Sequence, residues 1–197
     1  MKVLCLLGSP RPRGNSAALL SAYADQAQAL GAEVARHSLN DLDFKPCQAC
    51  FACKTTSEVC VLKDELTPIL AAVRDCDVLA LASPVYFGDL SAQLKAFVDR
   101  SFSLLTPDYA RGEKKTRLAP GKAISLLLAQ GHPNAERFTD IIPRYAYFFR
   151  LLGFTSQFPV RAVGVYAPGE ALGTPHWLEA AAQAARQALG AETPALT

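Results

Sequence analysis

The sequence predicts a doubly wound α/β fold, with a five-stranded parallel sheet in the order 2-1-3-4-5 and helices on both faces. Two observations lead there. Short apolar runs alternate with longer helical patterns along the 197 residues, which is the signature of β-α-β units. In addition, Lys2–Leu7 (KVLCLL) and Asp77–Ala82 (DVLALA) are apolar almost throughout, as strands covered on both faces are.

The first strand, Lys2–Leu7, stops at Gly8-Ser9-Pro10, and a helix over Ser16–Leu30 follows, with Leu19, Leu20, Tyr23, Ala27 and Leu30 at helical spacing and Gly31 as its stop. Glu33–Leu39 reads as a less apolar strand nearer an edge. Thr67–Val73 belongs to a helix for which Thr67 and Pro68 suit the N-cap and first helical positions. Asp77–Ala82 is the third strand, and Ser91–Phe102 a helix with Leu94, Phe97 and Val98 facing inward. Residues 104–121 are polar and punctuated by Pro and Gly, so they read as a long loop. Ala123–Ala129 is the fourth strand, Asn134–Leu152 a helix ending at Gly153, and a fifth strand lies within Thr155–Val165. An Ala-rich helix covers Pro175–Leu189. Residues 1–190 read as one domain, with a loose tail over 191–197.

Composition removes several function classes. The 20 Lys+Arg against 18 Asp+Glu leave a net charge of +2, too little for a field that gathers nucleic acid or an acidic membrane. No apolar run is long enough to span a bilayer, and the N-terminus does not read as a signal peptide. Six cysteines are too few for a disulfide scaffold, yet Cys47, Cys50, Cys53 and Cys60 crowd into fourteen positions. That clustering suits a reducing, cytoplasmic compartment and metal or redox chemistry.

In a doubly wound sheet, ligands bind beyond the carboxyl ends of the strands, where strands one and three diverge. Three loops meet there. The first, Gly8 to Ser16, is neither a dinucleotide fingerprint nor a triphosphate loop. It offers what a terminal phosphate needs: Ser9, Asn15 and Ser16 as donors, the Arg11 guanidinium, free N–H groups at a helix start, and Gly14 for close approach. The competing reading is a capped helix with solvated arginines, and the switch-point position favours phosphate. The second loop, Pro84-Val85-Tyr86-Phe87-Gly88, places two aromatics where loops are usually polar, as a platform for a flat ligand. The alternative buries Phe87 and puts Tyr86 at a subunit contact. The third, Gln130-Gly131-His132, supplies polar groups for a ring edge, and His132 reads more readily as a turn residue than as a proton donor. An anion cradle, an aromatic platform and a polar rim suit flavin mononucleotide (FMN).

The segments GSPR-x-x-GNS and SPVYFGDLSAQLKAFVDR, with the cysteine segment between them, resemble the NAD(P)H-dependent FMN reductase family, a flavodoxin-like group that includes the iron–sulfur flavoproteins. The likeness covers most of residues 1–132. It implies a phosphate site on Ser9, Arg11, Asn15 and Ser16, a ring-contacting loop on Pro84, Val85, Tyr86, Phe87 and Gly88, and a far rim at Gln130 and Gly131. It further implies NAD(P)H as co-substrate, FMN rather than a side chain as the reacting group, and a homodimer or homotetramer. The acceptor would be a quinone, free flavin, an azo or nitro compound, or a protein.

Cys47, Cys50 and Cys53 share the C-x2-C-x2-C spacing of bacterial ferredoxins, with Cys60 as a fourth. The resemblance points to [4Fe–4S] ligands, partly offset in charge by Lys45 and Lys54. Free or reversibly paired thiols and tetrahedral zinc remain open. Two rival functions accompany the oxidoreductase: an iron–sulfur electron carrier with ferredoxin-like partners, and a flavin or thiol redox sensor without turnover.

Overall fold

Strand β1 (Lys2–Leu7) pairs in parallel with β2 (Glu33–Ser38) on one side and β3 (Val78–Pro84) on the other in the computed structural model, which describes residues 1–190. The expected tail, 191–197, lies outside the described residues. Beyond β3 comes β4 (Ala123–Gln130), and the fifth position is shared by β5 (Ser156–Gln157) and β6 (Val160–Val163). The order β2-β1-β3-β4-β5 is the one expected, with β6 also on β4. Partners Ala123↔Ser156 and Leu127↔Val160 keep one register. The fifth strand is therefore a single strand interrupted at Pro159, which has no N–H to give the ladder.

Alternation along the strands builds two cores. Leu4, Leu6, Leu79, Leu81, Ile124 and Leu126 face α3 (Leu66–Asp75), α4 (Ala92–Arg100) and α5 (Ile141–Leu151). Val3, Cys5, Val78, Ala80, Ala82 and Leu127 face α1 (Asn15–Ala29) and α6 (Pro175–Ala188). On this second face the small side chains of Ala80, Ala82, Ala181 and Ala185, all fully buried, admit the helices closely. Tyr23 reaches in from α1 and accepts a 3.1 Å bond from Ser125 Oγ, which satisfies the phenol oxygen at the bottom of the core. Burial pushes the Cys5 thiol up to about 12 and Cys76 up to about 11, so both are inert packing groups.

Three expected boundaries move, each for a local reason. The helix expected from Asn134 begins at Ile141: Pro143 can stand in a first turn but not in a helix interior, where it would lose a bond and clash. The start of α3 falls at Leu66 with Glu65 as its N-cap, not at Thr67: Asp64 just before the cap accepts from Leu66 N–H at 3.2 Å, while Thr67 Oγ1 accepts from Asp64 N–H at 3.1 Å. The 104–121 segment is not a featureless loop, since Leu105 and Thr116 form an antiparallel bridge.

Candidate functional site

The cavity of about 490 Å³ at the carboxyl ends of β1, β3, β4 and β6 is within the range of small-molecule sites. Ser9, Arg11, Gly14, Asn15, Ser16, Pro84, Val85, Tyr86, Gln130 and Gly131 all line it. Phe87 and Gly88 do not. Phe87 stands fully exposed with a φ of 49°, so it is neither core nor wall. Gly88 acts from behind: at its φ of +78° an added Cβ would lie 3.2 Å from the ring of Phe138, and Phe138 is itself a wall residue.

The floor is the start of α1. Gly14 occupies its N-cap and no side chain caps it, which leaves first-turn N–H groups without intrahelical acceptors at the cavity. Gly14 also sits closely, since an added Cβ would lie 3.0 Å from Arg11 Cβ and 3.2 Å from the Arg11 carbonyl. Ser9 Oγ accepts from Arg11 N–H at 3.1 Å and so shapes the turn.

Two side chains expected to contact a ligand are engaged elsewhere. Asn15 Nδ2 donates to the carbonyls of Val165 and Ala167, both at 2.9 Å, and its Oδ1 accepts from Ala171 N–H at 3.0 Å. Its carboxamide therefore has no donor left for a phosphate and instead ties the β6–α6 loop to the α1 start. Gln130 is fully buried; its Nε2 donates to the carbonyls of His132 and Asn134, and its Oε1 accepts from Arg161. It braces the rim rather than lining it with a free amide. His132 Nδ1 accepts from Asn134 N–H at 3.0 Å, which puts the proton of the neutral ring on Nε2.

The wall that sequence reasoning missed is Val165, Tyr166, Ala167 and Pro168, with Phe138 opposite. Its signal was the carboxyl end of the fifth strand, which must open on the same edge of the sheet as the other three. Tyr166 packs so closely that an added Cβ at Gly131 would meet its ring at 3.0 Å. The aromatic loop is anchored from α5: Asp89 accepts from Tyr145 Oη at 2.6 Å and pairs with Arg144 at 3.1 Å. Burial works against the Asp89 charge, but the Tyr145 hydroxyl, the Leu90 N–H and Arg144 outweigh it and hold the carboxyl below its usual range.

A second, smaller cavity of about 130 Å³ is lined by Cys47, Cys50, Cys53 and Cys60 together. The short helix α2 (Ala52–Thr55) carries Cys53. Ala49 and Phe51 adopt φ values of 51° and 57°, a left-handed twist that costs non-glycine residues about 1–3 kcal/mol each and marks functional loops. All four thiols are free. Among the described residues no three such groups converge as ligands of one ion would; the thiols stand round a common cavity instead. Two cations outside the cavity hold carbonyls of its lining residues. Lys54 donates to the carbonyls of Phe102 and Leu105 at 2.6 and 2.8 Å, and Arg117 to those of Cys53 and Ser103 at 3.0 and 2.8 Å.

The sequence profile of the family described as NADPH-dependent FMN reductase matches residues 1–137. The chain belongs to that family. An iron–sulfur flavoprotein of Methanocaldococcus jannaschii is 41% identical over 101 residues, which are 51% of this chain and 52% of that protein. One of Methanosarcina thermophila is 34% identical over 114 residues, 58% of this chain and 59% of that protein. The matches thus span about half the length of these relatives. Among solved structures, an NAD(P)H:quinone oxidoreductase from Methanothermobacter marburgensis superposes with a TM-score of 0.70 at 19% identity, covering 95% of this chain and 96% of that one. An FMN-dependent NADH-azoreductase from Bacillus anthracis, in complex with FMN, gives 0.70 at 17% identity, covering 95% and 100%. These likenesses show the flavodoxin-like fold. No helix among the described residues is long and apolar enough to cross a membrane.

Proposed function

We propose that this chain is an FMN-dependent NAD(P)H oxidoreductase whose flavin occupies the cavity above β1, β3 and β4. The observation that carries this reading is the uncapped start of α1 opening onto the cavity. A helix N-terminus beside Ser9, Ser16 and Arg11 provides donors and positive potential for one phosphate. Asn15 contributes its backbone N–H and holds the wall. Pro84, Val85 and Tyr86 flank the flat ring, Phe138 and Tyr166 close the sides, and the Gly131 backbone faces its polar edge. Phe87 and Gly88 support that loop from outside the cavity.

Bound FMN would accept hydride from reduced nicotinamide and pass electrons to a quinone, flavin, azo or nitro compound, or protein acceptor. The chain's own residues bind and orient; no side chain is assigned as nucleophile or general base. Exposed Tyr147 and Phe148 on α5 support a homo-oligomer, and the unpaired cysteines support a cytoplasmic setting. Steady-state oxidation of NADH and NADPH by the FMN-loaded protein with an added quinone tests the activity; turnover no faster than with free FMN would oppose it and leave a redox sensor.

A second reading is favoured by the four cysteines on one cavity: the chain carries a [4Fe–4S] cluster and passes single electrons to a protein partner. The fit is chemical. Four thiolates around a cluster carry net negative charge; Arg100 lines the cavity, and Lys54 and Arg117 bond to the carbonyls of its lining residues Phe102 and Cys53. Anaerobic isolation followed by iron and sulfide analysis decides it, with about four of each per chain expected.

A further inference from the structure

Arg100 ends α4 and is 1% exposed, an unusual place for a permanently charged side chain. Four of its guanidinium contacts are accounted for. Nη1 donates to the Lys45 carbonyl and to Asp64 Oδ2, both at 2.7 Å, and Nη2 donates to Asp64 Oδ1 at 3.1 Å and reaches the Leu62 carbonyl at 3.5 Å. Lys45 and Leu62 flank the cysteine segment on its two sides, so one guanidinium closes the loop that runs from Cys47 to Cys60. The fifth donor is different. Nε is buried and makes no hydrogen bond of acceptable geometry, and an unmet charged donor is among the costliest groups to bury.

The same side chain lines the four-cysteine cavity. Cys60 lines that cavity beside it. An orphaned donor on the wall of a thiol-lined cavity has one natural acceptor there, a sulfur. A neutral thiol is a weak acceptor, whereas a thiolate bound to iron is anionic.

We propose that Arg100 is a positioning residue for the four-cysteine site: its four Nη contacts clamp the loop shut, and its Nε–H is reserved for a sulfur of a thiolate-held iron–sulfur cluster. This rests on the cluster reading given above. Hydrogen bonds and positive charge at cluster sulfurs stabilise the reduced form and raise the reduction potential. Arg100 therefore holds the cluster at a less negative potential, nearer to that of a flavin partner.

The test uses the full chain, isolated anaerobically and reconstituted with iron and sulfide, in three forms: unaltered, Arg100→Lys, and Arg100→Met combined with Asp64→Asn. Lysine keeps the charge opposite Asp64 but lacks Nε. The double variant removes the buried pair without stranding a charge, and an asparagine oxygen still accepts from Leu66 N–H as Asp64 does. Iron content, bound flavin and the cluster potential from a dye-equilibrated titration followed by EPR are read for each. The expected result is full iron, unchanged flavin, and a cluster potential shifted to more negative values in both variants, further in the double one. An unmoved potential and EPR signal would overturn the assignment. So would iron loss with flavin retained, which would make Arg100 a loop clamp only. Absence of iron and sulfide from the unaltered protein would remove the cluster reading itself, and this inference with it.

Discussion

Asn15 and Val165 are joined by a 2.9 Å hydrogen bond that spans 150 residues of sequence. It links the turn expected to bind phosphate to a loop on the far side of the cavity, and it makes the wall part of the same construction as the floor. Replacing Asn15 with Ala should orphan the carbonyls of Val165 and Ala167 and the N–H of Ala171, at about 1–3 kcal/mol for each group that water does not reach. Urea unfolding is expected to show a lower midpoint. Asn15→Asp should be worse, since a carboxylate would face two carbonyls.

Arg11 has a separable role. If its guanidinium meets the flavin phosphate, Arg11→Ala should weaken FMN binding by about ten- to a hundredfold, from a charge-assisted bond of about 1.5–3 kcal/mol. Riboflavin, which has no phosphate, should bind the variant and the unaltered protein equally. A matching loss for both ligands would place Arg11 against the ring instead.

Gly8 marks the closest approach of α4 to the end of β1. A Cβ there would lie 2.6 Å from Leu94 Cβ and 2.9 Å from Ser91 Oγ. Ser91 in turn donates to the Gly8 carbonyl and accepts from Leu94 N–H as the cap of α4. Gly8→Ala should therefore cost at least about 1–3 kcal/mol by overpacking, read as a lower melting temperature, whereas Gly121→Ala, with open space around it, should show only the strain of its positive φ.

Asp89 makes the aromatic loop pH-sensitive. Its carboxyl titrates below the ordinary value of 3.8, so the stabilisation is present above that value and is lost as pH falls through the lower, folded-state value. Denaturant unfolding from pH 7 into acid should show the stability difference between the protein and Asp89→Asn constant above about pH 4 and narrowing as pH falls below 3.8. Parallel curves would show that Tyr145 and Arg144 do not depend on the charge.

The sheet order and the helices on both faces were legible because they depend on local apolar runs alternating with helical ones. Ser9, Arg11 and Gly14, which follow the first strand closely, line the cavity as their place at the strand's carboxyl end suggested. What failed needed tertiary knowledge. Nothing local reveals that Asn15 and Gln130 commit their amides to Val165, Ala167, His132 and Asn134. Phe87 reads as a platform by type, yet its left-handed backbone turns the ring into solvent. The start of α5 was readable in principle from Pro143 and from the polar run 134–140, in which only Ala135 and Phe138 are apolar. Arg100 sat unnoticed inside a helical stripe, because only packing shows that its charge is buried.

The central claim is a phosphate anchored at the start of α1. Fluorescence titration of the flavin-free chain with FMN and with riboflavin tests it most directly. The account predicts one FMN per chain, bound at least tenfold more tightly than riboflavin. Equal affinities for the two, or no binding of FMN, would contradict it.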